Sequence, residues 1–245
     1  MTTLAQIWRH PVKGVGAERL EKVTLAENRP LPFDRAWAIL TGEAEDTGAW
    51  QRCVNFARGC YGPELMAVTS ATDQDRLTFS HPKLPDLSIA PATEGDKLVE
   101  WITPIYPPER PAPHTLVNAP AEGMADASFA SVSILGMASL DALGERLQAQ
   151  MDPRRFRGNL WLAGLAPFAE LDMVGETVRI GTAELEIRER IERCRATEAN
   201  PDTGIRDANT LQALRQGWGH VDFGVKAVVT KGGTIQKGDK VEVLS

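Results

Sequence analysis

Cys194 lies in a segment whose residue types could support metal or sulfur chemistry. In residues 183–192 apolar and charged side chains alternate with the period of a β-strand, and Cys194 falls in the charged phase if the strand has no bulge. Arg193 and Arg195 flank it, and neighbouring cations stabilise a thiolate. A lone cysteine is more often a buried, inert side chain. This pattern instead favours a nucleophile or a metal ligand at Cys194.

Arginine, rather than lysine, supplies the positive charge in the region that contains this cysteine. Between Leu98 and Val225 there is no lysine, while ten arginines fall between Arg154 and Arg215 together with ten carboxylates. The planar guanidinium group binds carboxylate or phosphate through two donors at once. Two interpretations stay open: surface ion pairs, which are common and weak, or arginines that bind an anionic ligand.

A turn and a strand start lie on either side of Cys194 in the sequence. Residues 200–204 (NPDTG) have the composition of a tight turn that reverses the chain after the cysteine. Upstream, Asn159 precedes the apolar run 160–162. Its amide can either begin that strand or read the polar edge of a heterocycle, because it both donates and accepts hydrogen bonds.

Composition argues against several classes of protein. The 245 residues carry a net charge of −6, whereas a general nucleic-acid binder presents a positive face to the phosphate backbone. No apolar run reaches the length of a membrane span, and the first residues lack the apolar core of a signal peptide. We therefore expect a cytoplasmic protein without nucleic-acid or membrane partners.

The three cysteines, Cys53, Cys60 and Cys194, limit the redox chemistry of the chain. An odd number in a chain of this size does not indicate a disulfide framework. The spacing of Cys53 and Cys60 fits neither a CxxC motif nor an iron–sulfur cluster, which takes four thiolates. A redox enzyme with this sequence would therefore need an external electron donor.

Short segments rich in β-branched and aromatic residues predict a fold that is mainly β with some α. Turn residues separate predicted strands in the first half at 4–10, 20–25, 35–41, 65–69, 76–80, 86–90 and 98–102, with few helices. Further strands are predicted at 159–163, 177–180, 184–193, 226–230 and 240–244, with a closing β-meander around the turns at 231–234 and 237–239.

Two amphipathic helices and one proline-rich segment organise the second half. Apolar side chains recur at helical spacing from Leu140 to Leu147, behind Ser139 as a plausible N-cap, and from Leu211 to Trp218, behind residue 207 or 209. Five of the ten residues 104–113 are proline, which predicts an extended connection. We expect domains at 1–103 and 126–245, joined by residues 104–125.

Motifs at these positions resemble the MOSC family, the molybdenum-cofactor sulfurase C-terminal domain. In the second half they are RFRGN at 155–159, PFAE at 167–170, VGETVRIG at 174–181, RCRAT at 193–197, NPDTG at 200–204 and GDKV at 238–241. The first half, with IWRHPVKG at 7–14 and FDRAW at 33–37, is similar to the β-barrel domain that precedes MOSC in one branch. Each motif alone is weak, but their joint order is specific. The resemblance implies a MOSC-type β-barrel after a smaller N-terminal β-barrel.

That branch includes the mitochondrial amidoxime-reducing component, and the resemblance implies a function and a site. Cys194 would ligate the molybdenum of a molybdopterin cofactor and would be the catalytic residue. Lys13 and Arg35 would reach the pterin phosphate from the first domain, while the second domain would line the pterin with Arg157, Asn159 and Arg193. The implied activity is an oxidoreductase that reduces N-hydroxylated or other N–O or S–O small molecules. A separate ferredoxin, flavodoxin or cytochrome-type reductase would supply the electrons.

A second hypothesis from another class is a carrier of the cofactor or of sulfur. MOSC domains also end the cofactor sulfurases, whose upstream part is a pyridoxal-phosphate enzyme. Cys194 would then bear a persulfide without turning over an organic substrate. The chain lacks room for a pyridoxal domain, which argues against a complete sulfurase.

The remaining candidates are expected to be structural. The histidines at 10, 81, 114 and 220 show no ligand spacing, and Cys53 and Cys60 are expected to be packed or idle thiols. The six tryptophans are expected in cores and interfaces.

Overall fold

The computed structural model describes residues 1–244, and most of its regular elements are strands. In chain order the strands and α-helices are β1 (Thr3–Arg9), β2 (Glu18–Leu20), β3 (Lys22–Leu25), β4 (Trp37–Thr41), β5 (Thr69–Asp73), β6 (Arg76–His81), β7 (Leu84–Ile89), α1 (Pro91–Ile102), β8 (Pro113–Asn118), β9 (Val132–Gly136), α2 (Met137–Leu147), β10 (Leu160–Ala163), β11 (Thr177–Ile180), β12 (Ala183–Glu192), α3 (Thr210–Trp218), β13 (Asp222–Lys231), β14 (Gly233–Gln236) and β15 (Val241–Leu244). The predicted class, mainly β with some α, is confirmed.

One eight-stranded sheet dominates the molecule. Its order is β15-β11-β12-β13-β9-β10-β1-β2, so strands from both ends of the chain share it. Only β9 and β10 pair in parallel within this sheet, and the connection between them contains α2, as a parallel pair requires a crossover. The largest apolar core packs the sheet against α2 and α3, and includes the predicted helix residues Leu140, Leu143 and Leu214.

Smaller sheets carry the rest of the first half. Strands β5, β6 and β7 form a three-stranded antiparallel sheet, and α1 packs with β7 and β8 over a second apolar core. Strand β8, which starts at the end of the proline-rich segment, pairs with β4. Strand β3 pairs with β14. The domain division at 104–125 stays a prediction, and these pairings connect the chain across it.

Several sequence assignments are wrong, and local hydrogen bonding explains the clearest case. Residues 98–102 were predicted as a strand but end α1. Pro91 occupies a first-turn position of this helix, where its missing N–H costs nothing. The Glu94 carboxylate accepts a hydrogen bond from the Ala90 N–H at 2.8 Å, and the reach of an acidic side chain back to the helix start stabilises it. These stabilising contacts at the helix start outweigh the alternating apolar pattern that predicts a strand at residues 98–102.

Two further predictions differ from the structure, one in its secondary structure and one in its strand pairing. Residues 63–67 form a 3₁₀ helix that overlaps the predicted strand at 65–69. The short strand near the C-terminus exists as β14, but its partner is β3 and the partner of β15 is β11, so there is no closing β-meander. Pairing partners distant in sequence leave no local signal.

A buried carboxylate organises the start of α2. Gly136 caps this helix, and Ser139, predicted as the N-cap, lies inside it with its hydroxyl 2.8 Å from the Glu170 carboxylate. Glu170 also accepts from the Gly136 N–H at 3.2 Å, and the Phe168 N–H donates to the Ser139 hydroxyl at 2.8 Å. A Cβ on Gly136 would stand 2.7 Å from Glu170, so only glycine fits there. Burial raises the pKa of Glu170.

Glu170→Ala should lower the free energy of unfolding by about 2–3 kcal/mol, because it leaves buried donors without an acceptor. Glu170→Gln should cost less, since the amide keeps one accepting oxygen. Urea denaturation of both variants measures the difference. The control is Asp172→Ala, which removes an exposed carboxylate nearby. Equal stability of Glu170→Ala and the control would contradict a structural role for this carboxylate.

Candidate functional site

All six predicted site residues line one cavity of about 400 Å³. Its walls come from separate parts of the chain: the loop after β1, the loop before β4, residues 53–60, residues 125–133, the segment before β10 and the end of β12. Its predicted residues are Lys13, Arg35, Arg157, Asn159, Arg193 and Cys194. The structure therefore brings together residues that are up to 181 positions apart in the sequence.

Cys194 follows β12 and begins a short 3₁₀ turn at Arg195–Glu198. The assumption of an unbroken strand is wrong, because β12 has register shifts after Ile187 and Arg190, and the burial alternation stops there. The thiol is nevertheless exposed and faces the cavity. A hydrogen bond from the Cys60 thiol, and further the Ala196 N–H, lowers the pKa of Cys194, against the opposing effect of burial.

The other two cysteines also line this cavity, which the sequence did not indicate. Cys60 lies next to Cys194, and its hydrogen bond to the Cys194 sulfur raises the pKa of Cys60. The Arg58 Nη1 donates to the Cys53 sulfur at 2.8 Å. Both side chains are only partly buried, so they are not fully packed thiols, and the alternative that they are idle stays a prediction. Their position in the cavity depends on the fold of the segment at 53–60, which their spacing in the sequence does not indicate.

Ion pairing is confirmed for most arginines of this region, while binding of an anionic ligand stays a prediction for the others. Seven of the ten arginines form ion pairs with carboxylates: those at 154, 155, 179, 188, 190, 195 and 206. Within residues 1–244, Arg157 and Arg193 form no such pair and line the cavity. Burial lowers the pKa of each to about 9.

Backbone carbonyl oxygens hold these two guanidinium groups. Arg157 donates to the oxygens of Gly16 at 3.0 Å and Val12 at 3.1 Å. Arg193 donates to the oxygens of Phe156 and Phe223, each at 2.8 Å. Carbonyl dipoles offset part of the cost of burying a cation but do not neutralise it. The cavity wall therefore keeps positive charge that an anionic ligand would compensate.

Lys13 and Arg35 bring two further cations to the wall. The buried Lys13 ammonium donates to the Met124 oxygen at 2.7 Å and to the Asp126 carboxylate at 2.5 Å. Burial lowers the pKa of Lys13, and Asp126 opposes that change. Arg35 donates to the Asp34 carboxylate at 2.5 Å and to the Arg157 oxygen at 2.7 Å. Asp126, which sequence reasoning missed, partly neutralises this side of the cavity.

A glycine turn aims Lys13 inward. Gly14 follows it with φ of +77°, a conformation that favours glycine. A Cβ at this position would stand 2.5 Å from the Ala57 oxygen, so the backbone contact also requires glycine.

The side-chain oxygen and nitrogen of Asn159 both form hydrogen bonds within the protein. Its oxygen accepts from the Ser133 hydroxyl at 2.9 Å and from the Ser133 N–H at 3.1 Å, and its nitrogen donates to the Trp8 oxygen at 3.1 Å. The side chain thus links β9, β10 and β1. Contact of this amide with a heterocycle stays a prediction.

The chemistry of the donor set fits a soft metal carried by an organic phosphate. A thiolate suits a soft, sulfur-rich metal centre, and arginine and lysine suit phosphate oxygens. The cavity is lined both by Cys194 and by the cations of Lys13, Arg35 and Arg157. None of the helices in the described part of the chain has the length and hydrophobicity of a bilayer-spanning helix.

Comparisons with known proteins give a consistent result along nearly the whole chain. The family model of the MOSC domain matches residues 124–242, and that of the MOSC N-terminal beta barrel domain matches residues 1–101. The chain is similar to the human mitochondrial amidoxime-reducing component 1, with 27% identity over 99% of this chain and 83% of the relative. The mouse protein of that name is 25% identical over 99% and 82%. The crystal structure of the YUAD protein from Bacillus subtilis has 12% identity and a TM-score of 0.48, over 99% of this chain and 96% of that one.

Cys194 should react with iodoacetamide at lower pH than an ordinary thiol, because the thiolate is the reactive form. With a pKa lowered to about 6, the rate in ligand-free protein should reach half its maximum near that pH, rather than near about 8.5. Mass spectrometry of the alkylated peptide over a pH series measures this. Cys60→Ser, which replaces the thiol donor by a hydroxyl, shows how much of the shift depends on the sulfur. An ordinary midpoint in the unmodified protein would contradict the geometry described.

Proposed function

Because the chain belongs to the MOSC family, whose function is associated with the molybdenum cofactor, we propose that it is a molybdenum-dependent reductase of N-hydroxylated or other N–O or S–O small molecules. The observation that carries the proposal is the exposed thiol of Cys194 in a cavity that is also lined by Arg157 and Arg193, which have no carboxylate partner among residues 1–244. The names of the relatives, amidoxime-reducing components, support the reaction class.

Cys194 would be the protein ligand of the metal. Its thiol is already biased toward the thiolate, which is the form that binds a metal. The bound cofactor would supply the two-electron chemistry that removes an oxygen atom from the substrate. The exposed position of the thiol leaves room for a small molecule beside it.

The cations would bind and orient the cofactor. Lys13 and Arg35 would contact the phosphate, and the unpaired charge of Arg157 and Arg193 favours the same anion. Because carbonyl oxygens hold these arginines, their donors are fixed before a ligand arrives. Preorganised donors reduce the entropy that binding costs.

The electrons would come from a separate protein. All three thiols of the chain line the cavity, and three thiolates do not make a four-thiolate cluster. A ferredoxin, flavodoxin or cytochrome-type reductase would supply them. The relatives are named as mitochondrial proteins, so the cytoplasmic location of this protein stays a prediction.

Cys194→Ser should abolish retention of molybdenum while leaving the fold intact, because a hydroxyl is a poor ligand for a soft metal. Protein from a host that makes the cofactor is analysed for molybdenum and for pterin, with circular dichroism as the check on folding. Cys53→Ser is the matched control, since it changes another thiol of the same cavity.

Three outcomes separate the hypotheses. Molybdenum and pterin in the unmodified protein, lost with Cys194→Ser, together with reductase turnover of an N-hydroxylated compound, support the proposal. Absence of both from the well-folded unmodified protein would overturn it. A stable persulfide on Cys194 without reductase turnover would favour the carrier of cofactor or sulfur.

Lys13→Met should weaken cofactor retention at least several-fold, because it removes one cation from the proposed phosphate contact and keeps the side-chain volume. The control is Lys83→Met, which removes an exposed lysine outside the cavity. Molybdenum-to-protein ratios after dialysis measure the effect. Equal ratios in both variants would show that the first half of the chain does not bind the cofactor through Lys13.

A further inference from the structure

Cys60 forms a pair with Cys194 that the proposed reaction does not use. The two residues are 134 positions apart in the sequence, yet their thiols share a hydrogen bond and line the same cavity. The segments that carry them are packed together: a Cβ on Gly59 would stand 3.5 Å from the Ala196 side chain. The Arg206 Nη2 also holds the Cys60 oxygen at 2.8 Å. This proximity therefore belongs to the fold.

We propose that Cys60 and Cys194 form a reversible disulfide when the cavity holds no ligand, and that Cys60 thereby protects Cys194 from irreversible oxidation. The disulfide itself follows from the position of the two thiols. Its consequence for cofactor loading rests on the proposed function, because the sulfur engaged in a disulfide is no longer available as a thiolate ligand.

Hydrogen peroxide, the class of oxidant we invoke, completes the reaction in two balanced steps. The Cys194 thiolate attacks one peroxide oxygen, the O–O bond breaks, hydroxide leaves, and the sulfur becomes a sulfenic acid. The Cys60 sulfur then attacks the Cys194 sulfur, the S–O bond breaks, and the S–S bond forms. The oxygen of the sulfenic acid leaves as water, with its own hydrogen and the proton of the Cys60 thiol. The two thiols lose two electrons in total, and one peroxide is reduced to two waters.

The surroundings favour Cys194 as the first thiol to react and Cys60 as its partner. Cys194 is the exposed member of the pair, whereas Cys60 is partly buried, and Arg193 lies next to Cys194. The Cys60 side chain interacts with that of Cys194 and lines the same cavity. Cys53 accepts a hydrogen bond from Arg58 and has no such contact with Cys194 among the described residues. The geometry therefore selects one of the three disulfides that three cysteines allow.

Peroxide treatment of the full chain, purified without cofactor, tests the disulfide directly. After treatment and trapping with iodoacetamide, the intact protein should be lighter by two hydrogens and carry one adduct, on Cys53, instead of three. Peptide mapping should find Cys60 linked to Cys194, and a thiol reductant should restore all three adducts. Oxygen adducts on Cys194 with Cys60 still alkylated would overturn the proposal.

Two serine variants make the assignment specific. Cys53→Ser should form the same linked peptide at the same peroxide concentration. Cys60→Ser should instead accumulate one and then more oxygens on Cys194, because no neighbouring thiol resolves the sulfenic acid. If Cys60→Ser resists overoxidation as well as the Cys53→Ser control does, Cys60 does not protect Cys194.

A loading experiment separates this inference from the proposed function. Oxidised and reduced ligand-free protein are mixed with molybdenum cofactor, and bound molybdenum is measured after gel filtration. Loading of the reduced form, with at least tenfold less in the oxidised form, supports both ideas. Equal loading of the two forms would overturn the consequence for the cofactor. A linked peptide in protein whose reduced form loads nothing would refute the proposed function and leave the disulfide standing.

Discussion

Two guanidinium groups that have no carboxylate partner among residues 1–244 constrain how the cavity is built. A cation removed from water is costly unless hydrogen bonds and charge compensate it. In the described chain, Arg157 and Arg193 obtain their hydrogen bonds from carbonyl oxygens of distant segments, near residues 12–16, 156 and 223. Each arginine thus adds hydrogen bonds between segments that are distant in the sequence. The carbonyl oxygens leave the positive charge of these groups uncompensated, and an anionic ligand can compensate it.

The same contacts join the early part of the chain to the late part. Arg35 donates to the Arg157 oxygen, while Arg157 donates to oxygens in the loop after β1. Strand β1 pairs with β10, and this pairing positions the loop after β1 and the segment before β10 beside each other. The cavity is therefore a product of both halves, and its cations come from both. This arrangement explains why the six residues implied by the motifs converge although they lie in separate segments.

Sequence reasoning succeeded where a local rule decides the outcome. The strand ending near Cys194, the apolar faces of α2 and α3, and the mainly β class all follow from periodicity over short windows. Motif order then gave the six cavity residues. The failures are non-local: the partner of β14, the place of Cys60 beside Cys194 and the charge of Asp126 near Lys13 depend on tertiary contacts. The helix over residues 91–102 is the exception, since its proline and Glu94 were readable signals that an apolar pattern concealed.

The sharing of the large sheet by both ends of the chain has a consequence for synthesis on the ribosome. Strand β1 pairs with β10, some 150 residues later, and β3 pairs with β14 near the far end. Strand β1 can pair early with β2 on one edge, but its other edge and the edge of β3 that faces β14 stay unpaired until most of the chain has emerged. Such edges are prone to associate with other chains. Contacts so distant in sequence also slow folding, because a long loop must close before they form. Vectorial synthesis thus leaves these edges open to association with other chains for a longer interval than in a chain whose strands pair in order.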